Sequence, residues 1–296
     1  MEGTNGIMGI VGASGFLGGA LAELAHRRGW RVVGFSRKRR EPGGSVDEWR
    51  EWSDHPDLSR LGVLVNLAGE SIAQRWTEAN RERFHASRVG VTHALARAIA
   101  VADHGPGMLI NGSAVGIYGD RGDEEVTEAV GPGDGYLAKL CVEWEKAAQP
   151  LVGRGVDVAW LRTGVVLGRG GDAWEQMRKV FSLGLGGRFG SGQQWMPWIH
   201  VEDLVGAMLH MAQNRMTGPV NGVAPEPERN RDFTKKLASA LSRPACFHAP
   251  GWALKLGLGD FAGALLASQR AVPDALLTSG FRFRYPSLDS ALVELC

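Results

Sequence analysis

The chain holds 296 residues, of which 44% are apolar and 22% charged, an ordinary globular balance with enough length for a substantial core. No stretch approaches the roughly 18 unbroken apolar residues of a membrane span, so a soluble chain with no membrane partner is expected. Lysine and arginine total 33 against 32 acids, a net charge of +1, which gives no general electrostatic reason to bind nucleic acid.

Glu2 and Asn5 depart from the charged-then-apolar plan of a secretory signal, which makes a cytoplasmic location the expectation. Ile7–Val11 reads as a strand, followed by a glycine-rich turn and a helix over 17–28, with apolar Leu17, Ala20, Leu21, Leu24 and Ala25 on one face. Further strands are predicted at 31–35, 63–67, 108–113 and 156–161, with helices near 77–102 and 136–151 between them. This alternation predicts an α/β chain of Rossmann type, a doubly wound parallel sheet with right-handed crossovers.

Past Leu167 the pattern changes. Glycines crowd 168–192, a short run follows at 195–199, and helices resume at 201–213, 230–241 and 252–266. The expected organisation is a nucleotide-binding core over 1–167 and a smaller substrate cap over 168–296, with about 195–223 returning to the core. The long helices leave a homodimer open, although the chain's own cap can cover them equally well. Cys141, Cys246 and Cys296 are odd in number and widely spaced, so they read as buried or incidental thiols and no metal is expected.

Gly12, Gly15 and Gly18 stand between the first strand and first helix, within Gly12-Ala13-Ser14-Gly15-Phe16-Leu17-Gly18. Glycine there permits a tight turn and close approach of backbone to a pyrophosphate, whose charge the free N–H groups and helix dipole favour. At the end of the second strand, an acid would accept from the ribose 2′-hydroxyl of NAD. Ser36, Arg37, Lys38, Arg39 and Arg40 stand there instead, and Arg37 suits a forked contact to the 2′-phosphate of NADP. A solvated basic loop is the competing reading.

With these come Asn66-Leu67-Ala68-Gly69-Glu70-Ser71, Ser113-Ala114-Val115-Gly116-Ile117-Tyr118-Gly119-Asp120, Arg162-Thr163-Gly164-Val165-Val166-Leu167-Gly168 and Trp198-Ile199-His200-Val201-Glu202-Asp203-Leu204. On these motifs the chain resembles the extended or atypical short-chain dehydrogenases/reductases. More narrowly it resembles their NAD(P)-dependent epimerase-like subgroup with a distinctive C-terminal region, here Gly190-Ser191-Gly192-Gln193-Gln194-Trp195, Ser268-Gln269-Arg270 and 280–286. The resemblance spans nearly the whole chain. It implies that Leu67, Ala68, Gly69 and Glu70 line the cofactor path, that Arg88 reaches the cofactor, and that Val165 neighbours the nicotinamide. For Arg88 a surface salt bridge is an equal reading.

The family's mechanism implies a serine and a tyrosine that hold a substrate oxygen, with a lysine four residues after the tyrosine lowering its pKa. Lys139 matches the lysine, but Gly135 occupies the tyrosine position and Tyr136 is displaced by about 100° around the helix. Ser113, Tyr118, Tyr136 and Lys139 are therefore the catalytic candidates. Arg188, Gln193, Gln194 and Trp195 are candidates for binding a small polar substrate, since they lie on a glycine-rich loop. His200 and Asp203 read more simply as fasteners at a helix start. The function expected is an NADP-dependent oxidoreductase or epimerase, with sugar nucleotides suggested by family analogy alone. The alternative is a catalytically weak NADP(H)-binding sensor or scaffold.

Overall fold

In the computed structural model, the described residues are 6–296, so the reading of Glu2 and Asn5 lies outside them. Seven parallel strands form the main sheet: Ile7–Val11 (β1), Arg31–Ser36 (β2), Glu48–Glu51 (β3), Val63–Asn66 (β4), Met108–Ala114 (β5), Asp157–Thr163 (β6) and Gly218–Gly222 (β7). Their spatial order is β7-β6-β5-β4-β1-β2-β3, reversing direction of travel at β1, so the crevice above β1 and β4 is the switch point where such sheets bind ligands.

Apolar runs rather than alternation mark the central strands because helices cover both faces. Met8 and Ile10 of β1 face the layer of Phe16–Arg27 (α1) and Val201–Gln213 (α6), packing with Leu21, Ala25, Leu204 and Met208. Val11 turns to the other face, where Leu64, Leu109 and Val158 meet Leu95 and Ile99 of Val91–Val101 (α3) and Ala148 of Tyr136–Ala148 (α4). Each fully buried aliphatic side chain of this kind stabilises the fold by about 1.5–3 kcal/mol.

Two edge strands and two helices differ from the sequence expectation. β3, with Glu48, Arg50 and Glu51 in four residues, carries no apolar run, yet it pairs with β2 as the sheet edge and lays Trp49 beside Gly34. β7 contains glycine and proline, tolerated because it is the opposite edge strand. The expected helix over 77–102 is Glu78–His85 (α2) and α3 joined by a π-helical turn, Ala86–Gly90.

Beyond β6, Asp172–Ser182 (α5), Asn230–Ala240 (α7) and Leu288–Leu295 (α11) gather around Trp174, Trp198, Phe233, Leu237 and Leu288. Gly251–Leu258 (α8) and Phe261–Leu266 (α9), expected as one helix, are broken at Gly259, which adopts φ +62°. Asp274–Thr278 (α10) covers β7. No helix among the described residues is long and apolar enough to cross a membrane.

Two side chains at the start of α6 tie the C-terminal segment down. Asp203, buried, accepts the backbone N–H groups of Arg284 (2.7 Å) and Tyr285 (2.9 Å), rather than serving its own helix terminus. His200 Nδ1 accepts from Glu202 N–H at 3.3 Å, which puts the ring proton on Nε2, where it meets Glu294 at 3.2 Å. The imidazole lies 4.0 Å from the Tyr285 ring, and burial holds its pKa below the usual 6.5, the Glu294 carboxylate opposing only in part. Between the folded and unfolded values the unfolded chain binds the extra proton, so this site favours folding above pH 6.5 and loses that contribution as pH falls below it. His200→Gln should flatten the pH dependence of stability over that interval, which urea denaturation at about pH 7.5 and about pH 5.5 would measure.

Candidate functional site

Gly12 takes φ +86°, and a Cβ there would lie 3.1 Å from the Leu67 carbonyl oxygen. At Gly18 a Cβ would stand 2.1 Å from Gly12 O, so only glycine lets α1 start this close to β1. α1 has no side-chain cap and no acid in its first turn, while Ser14 and Gly15 are exposed above it. Its unpaired N–H groups and positive dipole end suit a phosphate. The Phe16 ring lies against Gly168 and Gly171, and Leu17 packs into the core beneath.

The loop after β2 is basic on its outside and ordered within. Ser36 Oγ accepts from Lys38 N–H (3.2 Å) and Arg40 Nε (3.3 Å), and the Arg40 guanidinium stacks 5.2 Å over Trp49. Arg37 and Lys38 are exposed. Sequence reasoning did not single out Arg40 with Trp49, because Trp49 reaches it only through the pairing of β3 with β2.

The third wall follows β4. Asn66 is fully buried, donates to Thr92 Oγ1 (3.0 Å) and Asn111 Oδ1 (2.8 Å), and accepts from Ala68 N–H (3.2 Å). Leu67, Ala68 and Gly69 thus leave the sheet on a fixed course. Arg88, in the π-helical turn, donates to the Glu70 carbonyl at 2.9 Å and lies 5.3 Å from the Trp144 ring; a Cβ on Gly69 would stand 3.1 Å from its guanidinium carbon. Burial lowers the Arg88 pKa, and no carboxylate among the described residues lies within ion-pair distance of it, so a surface salt bridge is not its role. The Glu70 carboxylate instead pairs with Arg83 at 3.2 Å. Val165 is half-buried and donates its N–H to Pro197 O at 2.8 Å.

The catalytic candidates do not converge as a triad. Ser113, Arg162 and Asn221 sit side by side in register at the carboxyl ends of β5, β6 and β7. Ser113 Oγ donates to Glu145 (2.7 Å), which Arg162 grips through two nitrogens at 2.9 Å each. Tyr118 is a correction: it is fully buried, its hydroxyl donates to Asn221 (2.7 Å) and accepts from Arg162 (2.9 Å), and burial raises its pKa despite the nearby Arg162 charge. Tyr136 is another. Its hydroxyl donates to the Arg81 carbonyl at 3.4 Å, its ring lies 5.1 Å from Trp76, and burial raises its pKa, the reverse of what a general base at neutral pH requires. Lys139 is exposed, and Gly135, φ +97°, leaves open space where the family's tyrosine would project. Glu145 and Asn221 carried no recognisable sequence signal, being brought to this edge by α4 and β7.

On the glycine-rich loop Arg188 and Gln193 are exposed, but Gln194 corrects the expectation: it is buried and its amide donates to Phe189 O (3.1 Å) and Leu265 O (3.4 Å). The Trp195 ring is met by two cations, Arg229 at 4.4 Å and Arg270 at 5.3 Å, and its indole N–H donates to Asp123 (2.9 Å). Arg229 and Arg270 were not foreseen as neighbours, since 34 and 75 residues separate them from Trp195 in the chain. Cys141 is buried, its thiol pushed up to about 12 by desolvation, while Cys246 and Cys296 are exposed.

Residues 8–224 match the model of the NAD dependent epimerase/dehydratase family, and residues 249–295 match a domain of unknown function, DUF1731. An epimerase family protein of Mycobacterium bovis is 40% identical over 295 residues, covering 97% of each chain. A crystal structure of the human epimerase family protein SDR39U1 with NADPH superimposes with a TM-score of 0.91 at 35% identity, covering 98% of each chain. A nucleoside-diphosphate sugar epimerase from Corynebacterium glutamicum has a TM-score of 0.79 at 34% identity over 98% of this chain and 58% of that one. The chain belongs to the NAD dependent epimerase/dehydratase family.

Proposed function

We propose that this protein binds NADP(H) in the crevice between α1, the loop after β2 and the loop after β4, and uses it in oxidoreductase or epimerase chemistry. One observation carries the cofactor choice: β2 ends in Ser36 and is followed directly by Arg37, Lys38, Arg39 and Arg40 beside the uncapped start of α1, with no acid at the strand end. The NADPH named for the similar human protein supports the same choice. Gly12, Ser14, Gly15, Phe16, Leu17 and Gly18 would meet the pyrophosphate. Ser36, Arg37 and Lys38 would meet the 2′-phosphate, and Leu67, Ala68, Gly69, Glu70, Arg88 and Val165 would line the path to the nicotinamide. When bound, the cofactor supplies or accepts a hydride.

The substrate proposed is a small polar molecule, with a sugar nucleotide suggested by the named activity of the Corynebacterium relative. Arg188, Gln193 and Trp195 on the open loop would contact it, with Arg229 and Arg270 holding the indole in place. On the chemistry side, Ser113 has its proton committed to Glu145, so its oxygen accepts a hydrogen bond from a substrate hydroxyl. Lys139, exposed on α4, completes the proposed set of catalytic groups.

A second reading, a catalytically weak NADP(H)-binding sensor, is favoured by the engagement of both tyrosine hydroxyls elsewhere and by Gly135 in the tyrosine position. Both readings share the cofactor site. Net oxidation of NADPH at the nicotinamide absorbance, or epimerisation of a sugar nucleotide by the cofactor-loaded protein with no net change there, would support the enzyme; cofactor binding with neither reaction across a broad panel would support the sensor.

Two substitutions separate the ends of the cofactor. Arg37→Ala should weaken NADPH binding by roughly 10- to 100-fold, the worth of one charge-assisted hydrogen bond, and leave NADH binding nearly unchanged in parallel calorimetric titrations. Equal losses for both nucleotides would remove the 2′-phosphate assignment. Arg88→Met should weaken NADPH by about tenfold or more while leaving 2′,5′-ADP, which lacks the nicotinamide half, bound as before. Loss of both ligands would place Arg88 at the adenosine end or in folding.

A further inference from the structure

α8 and α9 form a poorly anchored pair. α8 buries none of its residues and α9 only Ala262, while Trp252 and Leu256 of α8 are 72% and 75% exposed. Arg75, Trp76 and Arg81 of residues 75–81 reach the pair, and the buried Gln194 amide also donates to Leu265 O of α9 at 3.4 Å. Arg75 donates to the last carbonyls of α8, Leu256 O at 2.9 Å and Gly257 O at 3.3 Å, which have no helical partner of their own. A cation at a helix C-terminus also complements the dipole. The Trp76 ring lies 5.9 Å from that of Phe261, tilted by 53°, and Arg81 forms an ion pair with Asp260 in the turn between the two helices. Tyr136 closes the cluster from the first turn of α4, its ring 4.5 Å from the Arg81 guanidinium.

This segment is the direct continuation of Leu67, Ala68, Gly69 and Glu70, and Arg83 of the same helix holds the Glu70 carboxylate. We propose that α8 and α9 are a lid over the nicotinamide end of the crevice and that Arg75, Trp76, Arg81 and Tyr136 are the clasp that holds it shut. The inference rests on the NADP(H) reading for its ligand. Each clasp contact is modest and partly exposed, so the clasp opens without unfolding the sheet. Gly259, at φ +62°, turns the chain between the two helices, and Pro250 caps the first of them directly after Phe247–Ala249, which pairs with Gly187–Phe189. Tyr136, one residue past the family's catalytic position, is in this account a positioning residue for the lid.

Hydrogen exchange of the full chain tests this directly. In the wild type, saturating NADPH should slow amide exchange across 251–266. Arg75→Ala and Trp76→Ala should each speed exchange there by about tenfold, equivalent to ~1.4 kcal/mol, leave the main-sheet strands unchanged, and release NADPH faster. Arg75 is exposed and outside the core, so its variant keeps the test valid should Trp76→Ala misfold. Exchange in 251–266 that is indifferent to bound NADPH, or variants that speed exchange in the sheet as much as in the lid, would overturn the proposal. A wild type that binds no NADPH would overturn the cofactor reading and the coupling with it. The ligand-free comparison of wild type with Arg75→Ala would still decide the clasp: faster exchange supports it, unchanged exchange overturns it.

Discussion

The buried pairing of Arg162 with Glu145 is the interaction on which the carboxyl edge of this molecule depends. Arg162 lies in register between Ser113 and Asn221, grips Glu145 from α4 through two hydrogen bonds, and donates to the Tyr118 hydroxyl. Burial works against its charge, and the Glu145 hydrogen bonds and carboxylate more than reverse this, so the guanidinium stays ionised. Removing one partner of such a pair typically costs about 3–5 kcal/mol, because the other is left charged and desolvated. Asn221 extends the network to Val126 O and Val272 O, which joins the C-terminal part to the sheet at the same point.

That arrangement shapes what chemistry this edge has to offer. Tyr118 belongs to the network and cannot also serve as a free acid or base, since both of its hydrogen-bonding directions lie inside the core. Ser113 is held as an acceptor by the carboxylate it donates to. Rigidity at this edge is matched one strand over by Asn66, whose amide bridges Thr92 and Asn111 and fixes the exit of the loop toward Gly69. The cofactor side of the crevice is therefore preorganised, whereas the α8 and α9 side is attached through surface contacts.

A parallel sheet brings loops from distant parts of the chain to one edge, and here the loops do different work. The glycine turn and the β2 loop offer backbone N–H groups and exposed cations, which suits recognition of phosphates. The β4 loop carries both Glu70, in contact with Arg88, and the segment that reaches Phe261 and Asp260. The proposed binding and the proposed closure would thereby share one continuous stretch of chain.

The sequence by itself determined the strand, turn and helix that begin the fold, because glycine spacing and apolar periodicity are local signals that steric limits and burial translate directly into backbone shape. The same locality made the basic run directly after β2 legible, along with the missing tyrosine at Gly135. It hid β3 and β7, since edge strands need no apolar run, and the break at Gly259, since glycine inside an apolar stretch is ambiguous. Only tertiary structure decided where the polar side chains point. Tyr118 is drawn inward by Arg162, Gln194 by two backbone carbonyls, and Tyr136 toward Trp76, in each case by partners far along the chain or on another element. A hydroxyl or amide takes whichever partner the fold brings within about 3 Å, and that distance is set by packing of whole elements rather than by neighbours in the sequence.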